Sequence, residues 1–191
     1  MEAEKQLTKL KKFVSRYPVK KLVELYDELS AERKCLVDPV EISMEEKIRR
    51  WENEVYEKNT KYIENLKFET EQGDMVRSKS EVIIANILHQ NRKDILYKYE
   101  RPLSLISDGK TKIIYPDFTI LNIRTGKIYY WEHAGRMDDP YYANDFVKKV
   151  NLYVMNHLTI GKDLLLTFET QTTPLEIGAV KQLVKSVCSH H

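Results

Sequence analysis

Residues 113–136 read IIYPDFTILNIRTGKIYYWEHAGR. β-Branched and aromatic residues crowd Ile113 to Leu121 and again Ile128 to Trp131, while Asn122, Thr125 and Gly126 supply turn chemistry between them. The pattern predicts two strands joined by a short turn. With the turn centred between Arg124 and Thr125, Leu121 faces Ile128, Ile120 faces Tyr129, and Asp117 faces Glu132. Directly paired residues on one sheet face have Cβ atoms roughly 5 Å apart. Two carboxylates at that spacing repel, so one binds a proton or something positive sits between them. A divalent cation held by carboxylate oxygens is the functional solution. A slip of one residue would send the two acids to opposite faces.

The flanking sequence extends this hairpin into a domain. Ser78 to about Gln90 has helical spacing, Tyr97 to Leu105 reads as a strand, and Ser107, Asp108 and Gly109 form a turn before the hairpin. After it, Asp138, Asp139 and Pro140 start a helix that runs to about His157. Gly161 ends the connection, Leu164 to Glu169 is a strand, and Thr173-Pro174-Leu175-Glu176 opens a last helix. The order is helix, three strands, helix, strand, helix.

Upstream, residues to about Phe68 read as wholly helical. Leu7, Leu10, Phe13, Val14 and Tyr17 mark one helix that Pro18 ends or bends, and Val19, Leu22, Val23, Tyr26 and Leu29 mark a second. A break falls around Val37, Asp38 and Pro39. Ser43 and Glu46 have capping-box spacing ahead of a long helix with the stripe Ile48, Trp51, Val55, Tyr62, Ile63 and Leu66. Glu71 to Met75, with Gly73, marks the boundary, giving a helical region at 1–70 and a mixed domain at 71–191. The helical region reads as an arm packed on the domain or on a second copy of the chain, a homodimer. Lys9, Lys11, Lys12, Lys20 and Lys21 could instead meet phosphates, although acids are nearly as frequent there.

The whole chain has 191 residues, a formal charge of +2 and 31% charged residues, so net charge does not force nucleic-acid binding. No apolar run approaches membrane-spanning length, and the N-terminus lacks a secretory h-region. Cys35 and Cys188 are far apart and form no CxxC pair, which argues against a structural disulfide or zinc site. The expected setting is the cytoplasm, with no membrane partner. There is no Gly-rich phosphate loop and no GxSxG.

Several residues around the hairpin carry chemistry. Glu81 has two readings: with Ser78 it completes a capping box, and with Ile84, Ala85 and Leu88 it shares a stripe that faces the sheet. Lys149 shares a stripe with Phe146, Val150 and Tyr153; it either snorkels to the rim or delivers an ammonium to a site at the sheet's edge. His133 alternates to the face opposite Glu132, as a packing histidine or as a ligand or base. Asp138 and Asp139 are N-caps before Pro140. Lys79, Arg101 and Arg136 are candidate phosphate contacts, with surface ion pairing the other reading of the arginines.

Pro116-Asp117, Glu132-His133-Ala134 and the upstream Glu81 together resemble the PD-(D/E)xK nuclease superfamily. The phrase Tyr130-Trp131-Glu132-His133-Ala134-Gly135, followed by Asp138-Asp139-Pro140 and by Lys149 and Tyr153, is similar to a bacterial and phage branch with a WEHxG-type third motif. The resemblance covers roughly residues 75 to 190. It implies a restriction-endonuclease-like α/β (α+β) fold, a central mixed four-stranded sheet flanked by helices in the order αβββαβ, behind an N-terminal helical extension. It implies a divalent-metal-dependent nuclease that hydrolyses phosphodiester bonds, in DNA before RNA. Asp117, Glu132, Glu81 and the His133 backbone carbonyl would hold Mg²⁺ or Mn²⁺. The motif lysine is absent, with Ala134 in its place, and Lys149 from the following helix would replace it. Two other classes remain: a catalytically silent nucleic-acid-binding or interaction module on the same fold, and a helical dimer whose globular half is a scaffold.

Overall fold

The computed structural model describes residues 2–16, 19–34, 36–37 and 42–189. The chain divides into two compact units, Met1–Glu54 and Val55–His191. The boundary expected at 70/71 falls inside the second unit.

The first unit contains α1 (Glu2–Arg16), α2 (Val19–Asp27), the single turn α3 (Ala31–Lys34) and α4 (Met44–Asn53). The expected stop at Pro18 and the break at Asp38 and Pro39 lie outside the described residues. Ser43 caps α4, its hydroxyl accepting from Glu46 N at 3.2 Å. The buried Glu46 carboxylate accepts from Arg49 and Arg50 at 2.8 Å. The long helix expected to reach Leu66 stops at Asn53. Glu54 turns extended, Val55 is 96% exposed instead of buried, and only one 3₁₀ turn follows, at Ile63–Asn65. Val55 and Tyr56 lose side-chain freedom in a helix, and no buried face compensates for it.

The second unit opens with a hairpin absent from the sequence reading: β1 (Phe68–Glu69) and β2 (Met75–Val76), turned by Gly73 at φ 89°. Next come α5 (Lys79–Gln90), β3 (Ile95–Tyr99), β4 (Leu103–Ser107), β5 (Lys110–Ile114), β6 (Phe118–Asn122), β7 (Ile128–Ala134), α6 (Pro140–Met155), β8 (Leu164–Phe168) and α7 (Ile177–Ser189). The central sheet has the order β3-β6-β7-β8; its first two pairings are antiparallel and its last is parallel. It is a mixed four-stranded sheet with helices on both faces. Ile84 and Leu88 of α5 and Val180 and Val184 of α7 pack with Tyr97, Phe118, Ile120 and Trp131. Tyr153 of α6 packs on the other face with Leu164, Leu105 and Ile114. Each such large side chain contributes about 1.5–3 kcal/mol by leaving water. No helix among the described residues is long and apolar enough to cross a membrane.

Two expected strands are interrupted. Tyr97 to Leu105 divides at Glu100, which takes φ 48° and is followed by Pro102, a residue that cannot donate to a ladder. Glu100 is buried and held by two hydrogen bonds from Arg77, at 3.0 and 3.3 Å. Ile113 to Leu121 divides at Tyr115-Pro116-Asp117, so Asp117 immediately precedes β6 and does not lie in a strand interior. The β4–β5 hairpin is thereby separated from the central sheet.

The decisive register is the expected one: Leu121 pairs with Ile128, Ile120 with Tyr129, Thr119 with Tyr130 and Phe118 with Trp131. The turn is symmetric about Arg124 and Thr125. Asn122 N donates to Lys127 O, and the Asn122 side-chain oxygen accepts from Arg124 N and Thr125 N.

Asn156, at the C-cap of α6, attaches the β4–β5 hairpin. Its amide accepts from Ile106 N at 2.7 Å and donates to Ile106 O at 2.9 Å, imitating a neighbouring strand. Asn156→Ala is expected to lower the unfolding free energy by about 1–2 kcal/mol in urea titrations. Hydrogen exchange at Ile106 should accelerate while the exchange of β6 and β7 amides relative to global unfolding stays unchanged.

Candidate active site

The site lies where β6 begins and β7 ends. The β6–β7 ladder, continued by one residue, sets Asp117 opposite Glu132. The two acids are also joined through main chain: His133 N donates to Asp117 Oδ2 at 2.6 Å. Main-chain groups alternate direction along a strand. Tyr130 N and Ala134 O engage the β8 side, which turns the His133 amide and carbonyl towards Asp117.

Glu132 is 2% exposed. Its Oε2 accepts from Lys149 Nζ at 2.7 Å and its Oε1 from the Tyr153 hydroxyl at 2.5 Å. Both donors come from α6, one turn apart, as expected of residues at i and i+4. Lys149 Nζ also donates to Tyr115 O at 3.2 Å, tying the helix to the segment that carries Asp117. Burial works against the Lys149 ammonium, but Glu132 and Asp117 outweigh it and raise its pKa above the ordinary lysine value. Lys149 therefore favours its ammonium form and donates to Glu132. Burial pushes the Tyr153 hydroxyl strongly up, reinforced by Glu132, so it donates and does not ionise.

Asp117 is half-buried. Burial and then the Glu132 charge push its carboxyl well above the ordinary carboxylate range, against the pull of Lys149. Glu81 adds to the rise from farther off, and the His133 N–H opposes it. This is the electrostatic signature of two acids facing one another.

Glu81 follows its capping reading in geometry. Its Oε1 accepts from the Ser78 hydroxyl at 2.9 Å, and its Oε2 from Arg77 N at 3.1 Å and the Tyr99 hydroxyl at 2.7 Å. It borders the site while its oxygens serve the start of α5. Among the described residues no group of three or more His, Cys, Asp and Glu side chains surrounds one point. Asp117, Glu132 and the His133 carbonyl form an all-oxygen set with two acids. Such a set suits Mg²⁺, which keeps several waters and binds through one or two carboxylates.

Two cavities meet at Asp117. A smaller one, about 200 Å³, is lined by Asp117, Glu132, Lys149, Tyr142 and Phe146. A larger one, about 560 Å³, is lined by Asp117, Glu81, His133, Gly135, Arg136 and Glu169, among others. Arg136 lies at the larger cavity with its guanidinium 5.0 Å from the Tyr142 ring centroid. Lys79 is exposed in the first turn of α5, and Arg101 is half-buried near Tyr130; neither lines these two cavities.

The sequence reading missed Glu169, Thr167 and Tyr142. Thr167 and Glu169 reach His133 through the parallel pairing of β7 with β8, which no local spacing reveals. Tyr142 sits two residues after Pro140, where the α6 cap was the only visible signal.

Comparison with known proteins is sparse. No family model matches the chain, and no solved structure matches it. Over 102 residues it is 35% identical to an uncharacterized protein of Methanocaldococcus jannaschii, a match covering 53% of this chain and 8% of that protein. The chain thus spans a small fraction of that relative's length.

The raised Asp117 pKa fixes the sign of a stability effect. Between the ordinary aspartate value and the raised one, the folded state holds a proton that the unfolded state has lost, so this group's contribution falls as pH rises. Asp117→Asn, compared with the parent protein in EDTA, is expected to raise the urea midpoint at about pH 7.5. The gain should vanish near about pH 3.5, where both states are protonated. A variant that is destabilised at both pH values would contradict the charge assignment.

Proposed function

We propose that this chain is a divalent-metal-dependent nuclease that hydrolyses phosphodiester bonds in DNA, on a restriction-endonuclease-like arrangement of the PD-(D/E)xK type. The observation that carries this reading is the in-register meeting of Asp117 and Glu132, with the Lys149 ammonium on Glu132. Pro116-Asp117 stands as the PD element, Glu132 as the following acid, and Lys149 in place of the lysine missing at Ala134.

A bound Mg²⁺ or Mn²⁺ would supply a more acidic water and polarise the phosphodiester. Water oxygen would bond to phosphorus, one bridging P–O bond would break, and the proton would end on the leaving oxygen. The chain's own residues set the geometry for this. Asp117, aimed by the His133 N–H, would be one of the carboxylates that hold the cation. Glu132 is fixed from both sides by Lys149 and Tyr153. Lys149, held as an ammonium, meets charge that builds on the phosphoryl oxygens.

A catalytically silent nucleic-acid-binding module is the competing reading. Ala134 at the lysine position favours it, as does the engagement of both Glu132 oxygens.

Cleavage of a mixed DNA substrate with Mn²⁺, against an EDTA control, separates the two. Asp117→Ala and Glu132→Ala are each expected to reduce cleavage to background. Cleavage that survives both changes removes the assignment. Lys149→Ala is expected to lower turnover by about 10²–10³-fold while DNA binding stays within about twofold. Absence of Mn²⁺ binding in millimolar calorimetry would favour the silent module.

A further inference from the structure

The larger cavity holds a polar pair that the proposed reaction does not use. The His133 side chain is 2% exposed, and its Nδ1 lies 3.0 Å from the Thr167 hydroxyl. That hydroxyl accepts from Trp131 Nε1, an obligate donor, at 3.0 Å. The Thr167 hydroxyl can accept from Trp131 and still donate to His133 Nδ1, and an Nε2 lone pair facing the Glu169 carboxylate would be repelled, so the Nε2–H tautomer is the one taken here. Nε2 lies 3.3 Å from Glu169 Oε1, within ion-pair distance, yet it is a buried polar atom that makes no hydrogen bond. Glu169 is oriented from its other oxygen, where Oε2 accepts from the Ser80 hydroxyl at 2.6 Å and from Leu175 N at 3.2 Å. A buried donor left open costs about 1–3 kcal/mol unless a ligand or water satisfies it.

Gly135 keeps this pair accessible. A Cβ at that position would lie 3.3 Å from Glu169 Oε1 and 3.6 Å from His133 Nε2. The cavity continues over Gly135 to Asp117, with Lys67 and Arg136 exposed on its lining and Phe68 half-buried in it. A planar group carrying adjacent donor and acceptor atoms would satisfy Glu169 Oε1 and His133 Nε2–H together. The Watson–Crick edge of every nucleobase offers such a pair, and the exposed Lys67 and Arg136 are the cations on a lining of mixed charge that would meet its phosphate. A paired base inside a duplex hides that edge.

We propose that the His133–Glu169 cavity binds one unpaired nucleobase beside Asp117, so that the substrate class is single-stranded or locally unpaired nucleic acid. This inference rests on the nuclease reading for its purpose, but its test does not need cleavage. The probe is a fluorescent single-stranded DNA of about twelve nucleotides, compared with the same strand in a blunt duplex, by anisotropy in EDTA. The single strand is expected to bind at least about tenfold more tightly than the duplex. Gly135→Ala is expected to weaken single-strand binding by about tenfold and leave duplex binding and the melting temperature unchanged. Glu169→Gln keeps the shape and tests the acceptor. It should weaken single-strand binding, and Lys110→Ala on the β4–β5 hairpin serves as a control outside this cavity. Equal affinity for the two forms, or a Gly135→Ala variant that is folded and binds the single strand as tightly as the parent protein, overturns the proposal. Selective single-strand binding without Mn²⁺-dependent cleavage would overturn the nuclease reading and leave this cavity assignment standing.

Discussion

The constraint that governs this domain is the confrontation of two carboxylates across neighbouring strands. Coulomb repulsion between Asp117 and Glu132 is a fixed consequence of the β6–β7 register. The fold relieves it on one side only. Glu132 receives a cation and a hydroxyl from α6, while Asp117 receives a single amide and retains a raised proton affinity. The asymmetry makes one acid a settled structural member and the other an unsatisfied one. A carboxyl whose proton affinity is raised by burial and a facing acid, beside a cavity, marks a candidate site.

That register was legible in sequence because its information is local. Asn122, Gly126 and the symmetric apolar residues around Arg124 and Thr125 define one turn, and one turn defines every pair along the ribbon. Helices α5 and α6 were legible for the same reason, since Ser78 and Asp139 announce their starts. The interruption at Glu100 was not legible. Its positive φ is maintained by Arg77, a partner 23 residues earlier, and no window of local sequence contains both. The end of α4 at Asn53 was not legible either, because Val55, Tyr62 and Ile63 continue the apolar spacing yet lie exposed. β1 and β2 have two residues each, too few for any alternation to register.

The site divides along similar lines. Asp117, Glu132 and Lys149 were found because strand mirror symmetry and helical stripes are periodic features. Glu81 was found too, and its capping geometry shows that one carboxylate can match two patterns at once. Glu169 escaped because it joins His133 only through a parallel pairing separated by α6. Parallel neighbours are distant in sequence by construction, so their contacts are the last to be recoverable from one chain.

The β4–β5 hairpin is placed with unusual economy. Only Tyr115 and Pro116 separate the end of β5 from Asp117, and Lys149 grips the Tyr115 carbonyl. The Asn156 clip secures the other strand at Ile106. Length variation in this insertion is therefore confined to its tip at Asp108 and Gly109, where added residues would loop into solvent. A residue gained or lost at the base would rotate the acid off its face. By this geometry the hairpin can lengthen outward without disturbing Asp117, whereas a change in the two-residue tether cannot be absorbed.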